Sequence, residues 1–234
     1  MKNLLLFLIC TFCSASLVFA QTGKIEARVW NDKNDNGLQD NNENGGIAGV
    51  TVGLIFADGT PIGADQVTGS NGKVTFENVP TDVDLKLIFK LLNDTNFDGY
   101  KFTRFKVGGG SNPDNSDAKV NSGETERFKV AAGSTQSGID AGVWAPGTVT
   151  ARVWNDTDGD GLQGNGENGG IGNVVVKLLD ASNGDAELAE NTTGANGQVT
   201  FTNVPADRNL RLMFVKPDFH KFTKFKVGGG SNPN

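Results

Sequence analysis

Residues 30–56 read WNDKNDNGLQDNNENGGIAGVTVGLIF, an acidic loop that passes through glycines into a β-branched strand. Residues 32–43 carry oxygen-bearing side chains at positions one, three, five, nine and twelve, with Gly37 at position six. This spacing is typical of a calcium loop, in which about six to eight oxygens surround the ion and a tight turn needs a left-handed glycine. The predicted ligands are Asp32, Asn34, Asn36, the backbone carbonyl of Leu38, Asp40 through a water, and Glu43.

The same loop returns at residues 156–167, DTDGDGLQGNGE. Its predicted ligands are Asp156, Asp158, Asp160, the carbonyl of Leu162, and Glu167. Acidic, glycine-rich segments also fill ordinary surface turns, so a turn without metal is the alternative interpretation. Two matches to one spaced pattern favour calcium. The second loop has more carboxylates, which predicts that it depends more strongly on the ion.

The residues around these loops predict an all-β fold. An EF-hand would continue from its loop into an amphipathic helix, whereas here glycines lead into a strand. Apolar and polar residues alternate elsewhere, as at Ile25, Ala27 and Val29, which is typical of half-buried strands. The first part of the chain is predicted to form about seven short strands, at residues 25–29, 50–56, 74–76, 85–89, 102–107, 127–130 and 139–143.

An internal repeat sets the predicted domain organisation. GKIEARVW at residues 23–30 aligns with GTVTARVW at 147–154, and VTFENVP from Val74 aligns with VTFTNVP from Val199. KFTRFKVGGGSNP from Lys101 aligns with KFTKFKVGGGSNP from Lys221. The prediction is two tandem antiparallel β-sandwich domains of immunoglobulin-like type, at residues 21–146 and 147–234.

The second copy is predicted to lack its last strands, because Asn234 aligns with Asp114 of the first copy. A sandwich without those strands would leave an unpaired edge, and we expect self-association through that edge. The alternative is that the chain is a fragment of a longer array of repeats.

The combined motifs resemble the B repeats of Sdr-type bacterial surface proteins, which are related to Cna-B and prealbumin-like sandwiches. The resemblance is carried by VWNDKNDNGLQDNNENGGIAGVTVGL, NGKVTFENVP and SGIDAGVW, and it covers nearly all of the chain after residue 20. It implies calcium-binding sandwiches that stiffen extracellular stalks, with the two acidic loops as calcium sites. It also suggests a further calcium site at Asp114 and Asp117, for which a solvated polar turn is the alternative.

The N-terminal residues predict export. Residues 1–20 contain Lys2, an apolar run and small residues before a cleavage point after Ala20, which is the pattern of a signal peptide. Both cysteines, Cys10 and Cys13, lie in this segment, so the exported chain would have none. We expect no membrane span in the mature chain and a secreted or extracellular location, with association to a cell surface left open.

The composition argues against nucleic-acid binding and catalysis as functions of this chain. The chain has 27 acidic and 21 basic residues, so nucleic acid is not an expected partner. His220 is the single histidine and has no cysteine nucleophile or histidine partner, so we predict that the protein is not an enzyme. The predicted function is a secreted, calcium-binding structural or adhesive protein. The alternative is an extracellular recognition module, and the expected partners besides calcium are extracellular matrix, a cell-surface protein or a glycan.

Overall fold

The computed structural model describes residues 21–40, 43–91, 97, 99–109, 113–164 and 166–224. The predicted signal peptide with both cysteines, and the end of the second copy at residues 225–234, lie outside the described residues. The described part is built from strands and has no α-helix, which confirms the all-β prediction. Within that part, no helix has the length and hydropathy needed to cross a membrane.

The first copy, which we call the first module, folds into two sheets. One sheet has the strand order β4-β1-β8-β6, with β7 also paired to β1, and the other has the order β3-β2-β5. The strands are β1 (Gly23–Asn31), β2 (Thr51–Phe56), β3 (Gln66–Val67), β4 (Lys73–Val79), β5 (Leu85–Lys90), β6 (Lys101–Phe102), β7 (Thr135–Gln136) and β8 (Ala141–Trp144).

The core of the first module lies between these two sheets. Ile25, Ala27 and Val29 on β1 are buried on one face, while Leu85 and Leu87 on β5 are fully buried in the other sheet. All five belong to one hydrophobic cluster. Alternate residues of each strand therefore meet across a shared core, which is the packing of a β-sandwich.

The strand pairing is antiparallel except at the beginning and end of the first module. β1 is antiparallel to β4, with Ala27 opposite Val74, but it is parallel to β8, with Trp30 opposite Gly142. The short β7 also runs parallel to β1. A parallel partner cannot arrive through a tight hairpin, and β8 reaches β1 only after the chain has crossed the other sheet.

Two strand predictions for the first module were wrong in extent. The predicted strand at residues 102–107 is reduced to β6 and a single bridge between Phe105 and Ser116, and the chain turns at Lys106, which has a left-handed φ of 50°. The predicted strand at 127–130 is a single bridge between Phe128 and Leu85. The two-residue strands β3 and β7 were not predicted, because neither is long enough to show an alternating pattern.

The second copy, here the second module, repeats the pattern with β9 (Gly147–Arg152), β10 (Val175–Asp180), β11 (Ala186–Thr192), β12 (Gln198–Val204) and β13 (Leu210–Phe214). β12 pairs with β9, and the other sheet has the order β11-β10-β13. Ala145 and Pro146 alone connect β8 to β9. The predicted absence of final strands concerns residues beyond Lys224, which the structure does not describe, and it stays a prediction.

Candidate metal centre

The first candidate loop follows β1 and is shaped by its own side-chain oxygens. Asp32 is fully buried, and its two carboxylate oxygens accept hydrogen bonds from the amides of Asn36 at 3.2 Å and Gly37 at 2.8 Å. Oδ1 of Asn34 and Oδ1 of Asn36 each accept from the amide two residues further on, at 2.9 and 2.8 Å. The loop backbone therefore wraps around the oxygens at positions one, three and five.

Gly37 is required by this turn. Its φ is 83°, in the left-handed region that favours glycine. A Cβ at this position would lie 2.7 Å from the carbonyl oxygen of Arg104 and 2.6 Å from the side chain of Val107. The sixth position of the loop therefore accepts glycine for both conformational and steric reasons.

Glu43 closes the loop as a buried carboxylate. It is 2% exposed, and its Oε2 has no hydrogen-bond partner among the described residues. Burial, followed by repulsion from Asp32 and Asp40, raises the pKa of Glu43 to about 7. A buried, unpartnered carboxylate oxygen beside other acids fits a site in which a cation supplies the missing positive charge.

Asp40 and Leu38 occupy the two remaining predicted positions. The exposed Asp40 carboxylate accepts from Nδ2 of Asn34 at 3.1 Å and from Nδ2 of Asn36 at 3.2 Å. Asp40 thus orients the amide oxygens of two predicted ligands, in addition to its predicted role through water. Leu38 is half-buried and lies opposite Asn115, which belongs to a neighbouring segment.

The second candidate loop brings three carboxylates together. Oxygens of Asp156, Asp158 and Glu167 lie within 4.8 Å of one another. Asp156 accepts from the amides of Gly159 and Gly161 at 2.8 and 2.9 Å, so its carboxylate is held much as that of Asp32 is. Three carboxylates at this separation repel one another, and a divalent cation would relieve that repulsion.

The remaining predicted ligands of the second loop lie close to this group. Oδ1 of Asp160 accepts from the amide of Leu162 at 2.7 Å, which is the bond that Asn36 makes in the first loop. Glu167 is 7% exposed, and its two oxygens accept from the amides of Thr157 at 2.6 Å and Gly164 at 2.9 Å. Asp160 is not one of the three clustered carboxylates.

Sequence reasoning missed a threonine that supports each loop. The buried Thr103 hydroxyl contacts the Asp32 carboxylate and lies 3.0 Å from Oδ1 of Asp35. A hydrogen bond from Thr223 is the main cause that lowers the pKa of Asp156. Both threonines end a repeated KFT motif, so the repeat contained the signal, but the motif was interpreted as core strand.

Asp114 and Asp117 lie on the segment beside the first loop. The Asp114 carbonyl accepts from the amide of Gln39 at 2.7 Å, which places this segment against the loop. The Asp117 carboxylate lies 3.6 Å from Nζ of Lys106 and accepts from the amide of Asp140 at 3.1 Å. A calcium site at Asp114 and Asp117 stays a prediction.

Asp140 is expected to make the stability of the calcium-free protein depend on pH. Burial, with repulsion from Asp117, raises the pKa of Asp140 to about 7, above the value of about 3.9 expected in an unfolded chain. The folded state then binds the proton more tightly, so this contribution to stability is fully present below about pH 4 and is lost progressively as the pH rises to about 7. Between pH 5 and 8 the wild type should lose about 2–3 kcal/mol relative to Asp140→Asn in denaturant unfolding.

Asp140→Asn is the matched control for the pH dependence of the unfolding free energy. It keeps an oxygen that can accept from the Arg28 amide, which lies 2.7 Å from Oδ1 of Asp140. Glu43 is present in both proteins, so its own titration cancels in the difference. Unfolding free energies that stay parallel between pH 5 and 8 would refute the assignment.

The second module also contains a cavity of about 520 Å³ next to Trp154. Its lining includes Phe214, His220 and Phe222, and it ends at Lys224, where the described residues end. His220 is exposed, and its Nδ1 lies 2.8 Å from the Asp218 carbonyl oxygen. In the first module the equivalent tryptophan, Trp30, is buried and lies opposite Gly142 of β8.

Comparison with known proteins identifies the relatives of this chain. Residues 23–143 and 147–233 match the model of the SdrD B-like domain. Serine-aspartate repeat-containing protein F of Staphylococcus epidermidis is 36% identical over 201 residues, which is 86% of this chain and 10% of that protein. Serine-aspartate repeat-containing protein D of Staphylococcus aureus strain Newman is 29% identical over 210 residues, or 89% of this chain and 14% of the relative. The chain therefore spans a small part of these relatives.

Similar solved structures are distant. The Bacillus anthracis TIE protein superposes with a TM-score of 0.36 and 9% identity, covering 87% of this chain and 30% of that one. A variant of the shaft pilin SpaA from Lactobacillus rhamnosus GG gives a TM-score of 0.29 and 11% identity, with 81% and 77% covered. These scores are too low to support an argument.

Proposed function

This chain belongs to the SdrD B-like domain family, and we propose that its two modules are calcium-stiffened structural or adhesive units of an extracellular protein. The observation that carries the proposal is the repetition of one loop geometry at the same place in both modules. In each loop the first aspartate accepts from the glycine amide at the sixth position, at 2.8 and 2.9 Å, and the twelfth residue is a buried glutamate.

The residues that would hold calcium are all hard oxygen donors, as this ion requires. The proposed ligands are Asp32, Asn34, Asn36, Leu38, Asp40 and Glu43 in the first loop, and Asp156, Asp158, Asp160, Leu162 and Glu167 in the second. The positive charge of a bound calcium ion would neutralise the carboxylates of each loop. The protein contributes the tight glycine turn, the burial of the glutamate and the threonine beside each first aspartate.

The position of the first loop explains how occupancy would stiffen the module. The Asp32 amide donates to the Val143 carbonyl of β8 at 2.8 Å, while Thr103 follows β6 and contacts the Asp32 side chain. Asn115 pairs with the loop from a third segment. Fixing the loop therefore fixes contacts among β1, β6 and β8, and a ligand that binds the folded state stabilises it by mass action.

A calorimetric titration tests the proposal on the chain from Gln21 onward, which contains every described residue. We expect saturable calcium binding at two loops, with dissociation constants of about 10⁻⁴ to 10⁻³ M or tighter. Glu43→Gln should remove the first site and Glu167→Gln the second, because each loses a charged ligand. Glu77→Gln is the control, since it removes the same charge from an exposed position on β4. Absence of saturable heat in the wild type, or equal binding by all four proteins, would reject the proposal.

The wider role follows from the family and is part of the same proposal. We infer an extracellular or cell-surface location and a non-catalytic role, with extracellular matrix, a cell-surface protein or a glycan as the partner. The curated relatives are named for serine-aspartate repeats, and the modules here would act as spacers or supports within such a protein. Recognition through loops is the second candidate, and the aromatic lining of the cavity beside Trp154 favours it.

A further inference from the structure

A buried arginine connects the two modules. Arg208 lies in the loop between β12 and β13, its side chain is 7% exposed, and its Nη2 donates to the carbonyl oxygen of Asp35 at 2.9 Å. The Asp35 carboxylate lies 4.0 Å from the same nitrogen. On its other side, Nε of Arg208 lies 3.6 Å from the carboxylate of Asp180, the last residue of β10. The guanidinium therefore lies between an acid of the first metal loop and an acid of its own module.

A second pair of contacts lies directly beside this one. The Asp207 amide donates to the carbonyl oxygen of Lys33 at 3.3 Å, and Nζ of Lys33 lies 3.7 Å from the Asp207 carboxylate. Two consecutive residues of the second module thus contact backbone carbonyls in the first loop. The β12–β13 loop lies along residues 33–35, rather than touching the first module at one point.

The repeat provides an internal comparison for the three charged residues. Equivalent positions can be assigned because the Ala57 amide donates to Asp84 at 3.0 Å and the Ala181 amide to Asn209 at 2.9 Å, in the same turn of each module. The equivalents of Asp35, Arg208 and Asp180 are Gly159, Val83 and Phe56. Each of the three positions has a charged residue in the module where it takes part in the Arg208 contacts and an uncharged residue in the other module. Buried charges cost free energy unless they are paired, so this distribution points to a role specific to the junction.

We propose that Asp35, Arg208 and Asp180 form an interdomain triad that holds the second module in one orientation against the first metal loop. A planar guanidinium bonds in fixed directions, so it restricts rotation more than a lysine would. The two-residue connection at Ala145 and Pro146 keeps the modules close together, but it does not by itself select an orientation. The triad supplies that selection.

The triad also reaches the proposed calcium ligands. Oδ1 of Asp35 lies 3.0 Å from the Thr103 hydroxyl oxygen, and the same hydroxyl contacts the Asp32 carboxylate. Arg208 is therefore connected through Asp35 and Thr103 to the first ligand of loop one. This part of the inference rests on the proposed function: if calcium orders loop one, it also orders the surface that Arg208 binds. Coupling is reciprocal, so loss of Arg208 should weaken calcium binding at loop one.

Pulsed electron spin resonance on the chain from Gln21 tests the orientation directly. That chain has no cysteine, because Cys10 and Cys13 precede it, so labels can be attached at Val120→Cys and Leu188→Cys, exposed positions in different modules. The labelled protein with the triad intact should give one narrow distribution of the distance between the two labels. Arg208→Ala should broaden it at least twofold, because it removes every contact of the guanidinium. Asp35→Ala should broaden it by a smaller amount, because the backbone carbonyl that accepts from Arg208 remains. Arg211→Ala, which breaks an exposed pair with Asp185 inside the second module, is the control.

The outcomes separate the two proposals. Equal distance distributions in the unmodified protein, Asp35→Ala and Arg208→Ala would overturn the triad, whatever calcium does. For the coupling, Arg208→Ala should weaken calcium binding about fivefold in a Glu167→Gln background, which leaves loop one, and leave affinity unchanged in a Glu43→Gln background. Equal weakening at both loops, or none at loop one, would overturn the coupling. If no protein binds calcium, the proposed function fails, while the distance measurement still decides the triad.

Discussion

Calcium at about one hundred times its dissociation constant is expected to stabilise each module by about 2.7 kcal/mol against unfolding. For a unit of about 100 residues this corresponds to a rise in melting temperature of about 10–20 °C relative to the chelated protein. The physical reason is that the folded loops hold clustered carboxylates, including three in loop two within 4.8 Å, which the unfolded chain separates. Calorimetric melting with calcium or with chelator measures the shift.

Magnesium and a single substitution are the controls for this shift. Magnesium prefers a smaller octahedral shell and should give a much smaller rise than calcium. Asp158→Asn removes one of the clustered carboxylates from an exposed position and should reduce the calcium effect on the second module only. Identical melting temperatures with calcium and with chelator would contradict the expected stabilisation.

Replacing Gly46 by alanine is expected to destabilise the first module by about 2–3 kcal/mol. A Cβ at Gly46 would lie 2.0 Å from backbone atoms of Asn71, and backbone cannot move aside as a flexible side chain can. This contact is where the end of the first loop meets the turn before β4. The second module has the same approach between Gly170 and Asn196, also at 2.0 Å, so Gly170→Ala should have the same effect there.

The adjacent glycines provide matched controls. A Cβ at Gly45 or at Gly169 would have no neighbour within 4 Å, and neither residue has a positive φ. Gly45→Ala and Gly169→Ala should therefore change the unfolding free energy by less than about 0.5 kcal/mol. Chemical denaturation of the four variants measures the difference within each pair. A similar free energy for Gly45→Ala and Gly46→Ala would show that the close backbone approach does not limit stability.

Much of the fold was predictable because buried and less buried residues alternate along much of β1, β4, β5 and β12. Val74 and Phe76 in β4, and Val199 and Phe201 in β12, are buried between exposed neighbours, and the alternation breaks at Asn78 and Asn203, which have a positive φ. The parallel pairing of β1 with β8 was not predictable, because alternation identifies the buried face of a strand but not its partner. β3 and β7 are two residues long, so they exist only through the neighbours that they pair with.

The candidate site was also predictable only in part. The ligand positions follow from spacing within twelve residues, which a sequence displays directly. Thr103 lies 71 positions from Asp32, and its proximity depends on how β6 and β8 are arranged. Arg208 was missed for the same reason, since its bond to Asp35 joins residues 173 positions apart. A comparison of the two copies at these positions would have revealed that their charges differ.

The parallel pairing of β1 and β8 determines how the first module responds when tension is applied to its two ends. The module begins with β1 and ends with β8, and residues 29–31 pair in register with 141–143. Because the two strands point in the same direction, tension applied between Gly23 and Trp144 pulls them past each other along their length. The hydrogen bonds that join them are then loaded in shear, all together, instead of being peeled apart one at a time. The strand arrangement therefore suits a segment that transmits tension along a chain of modules.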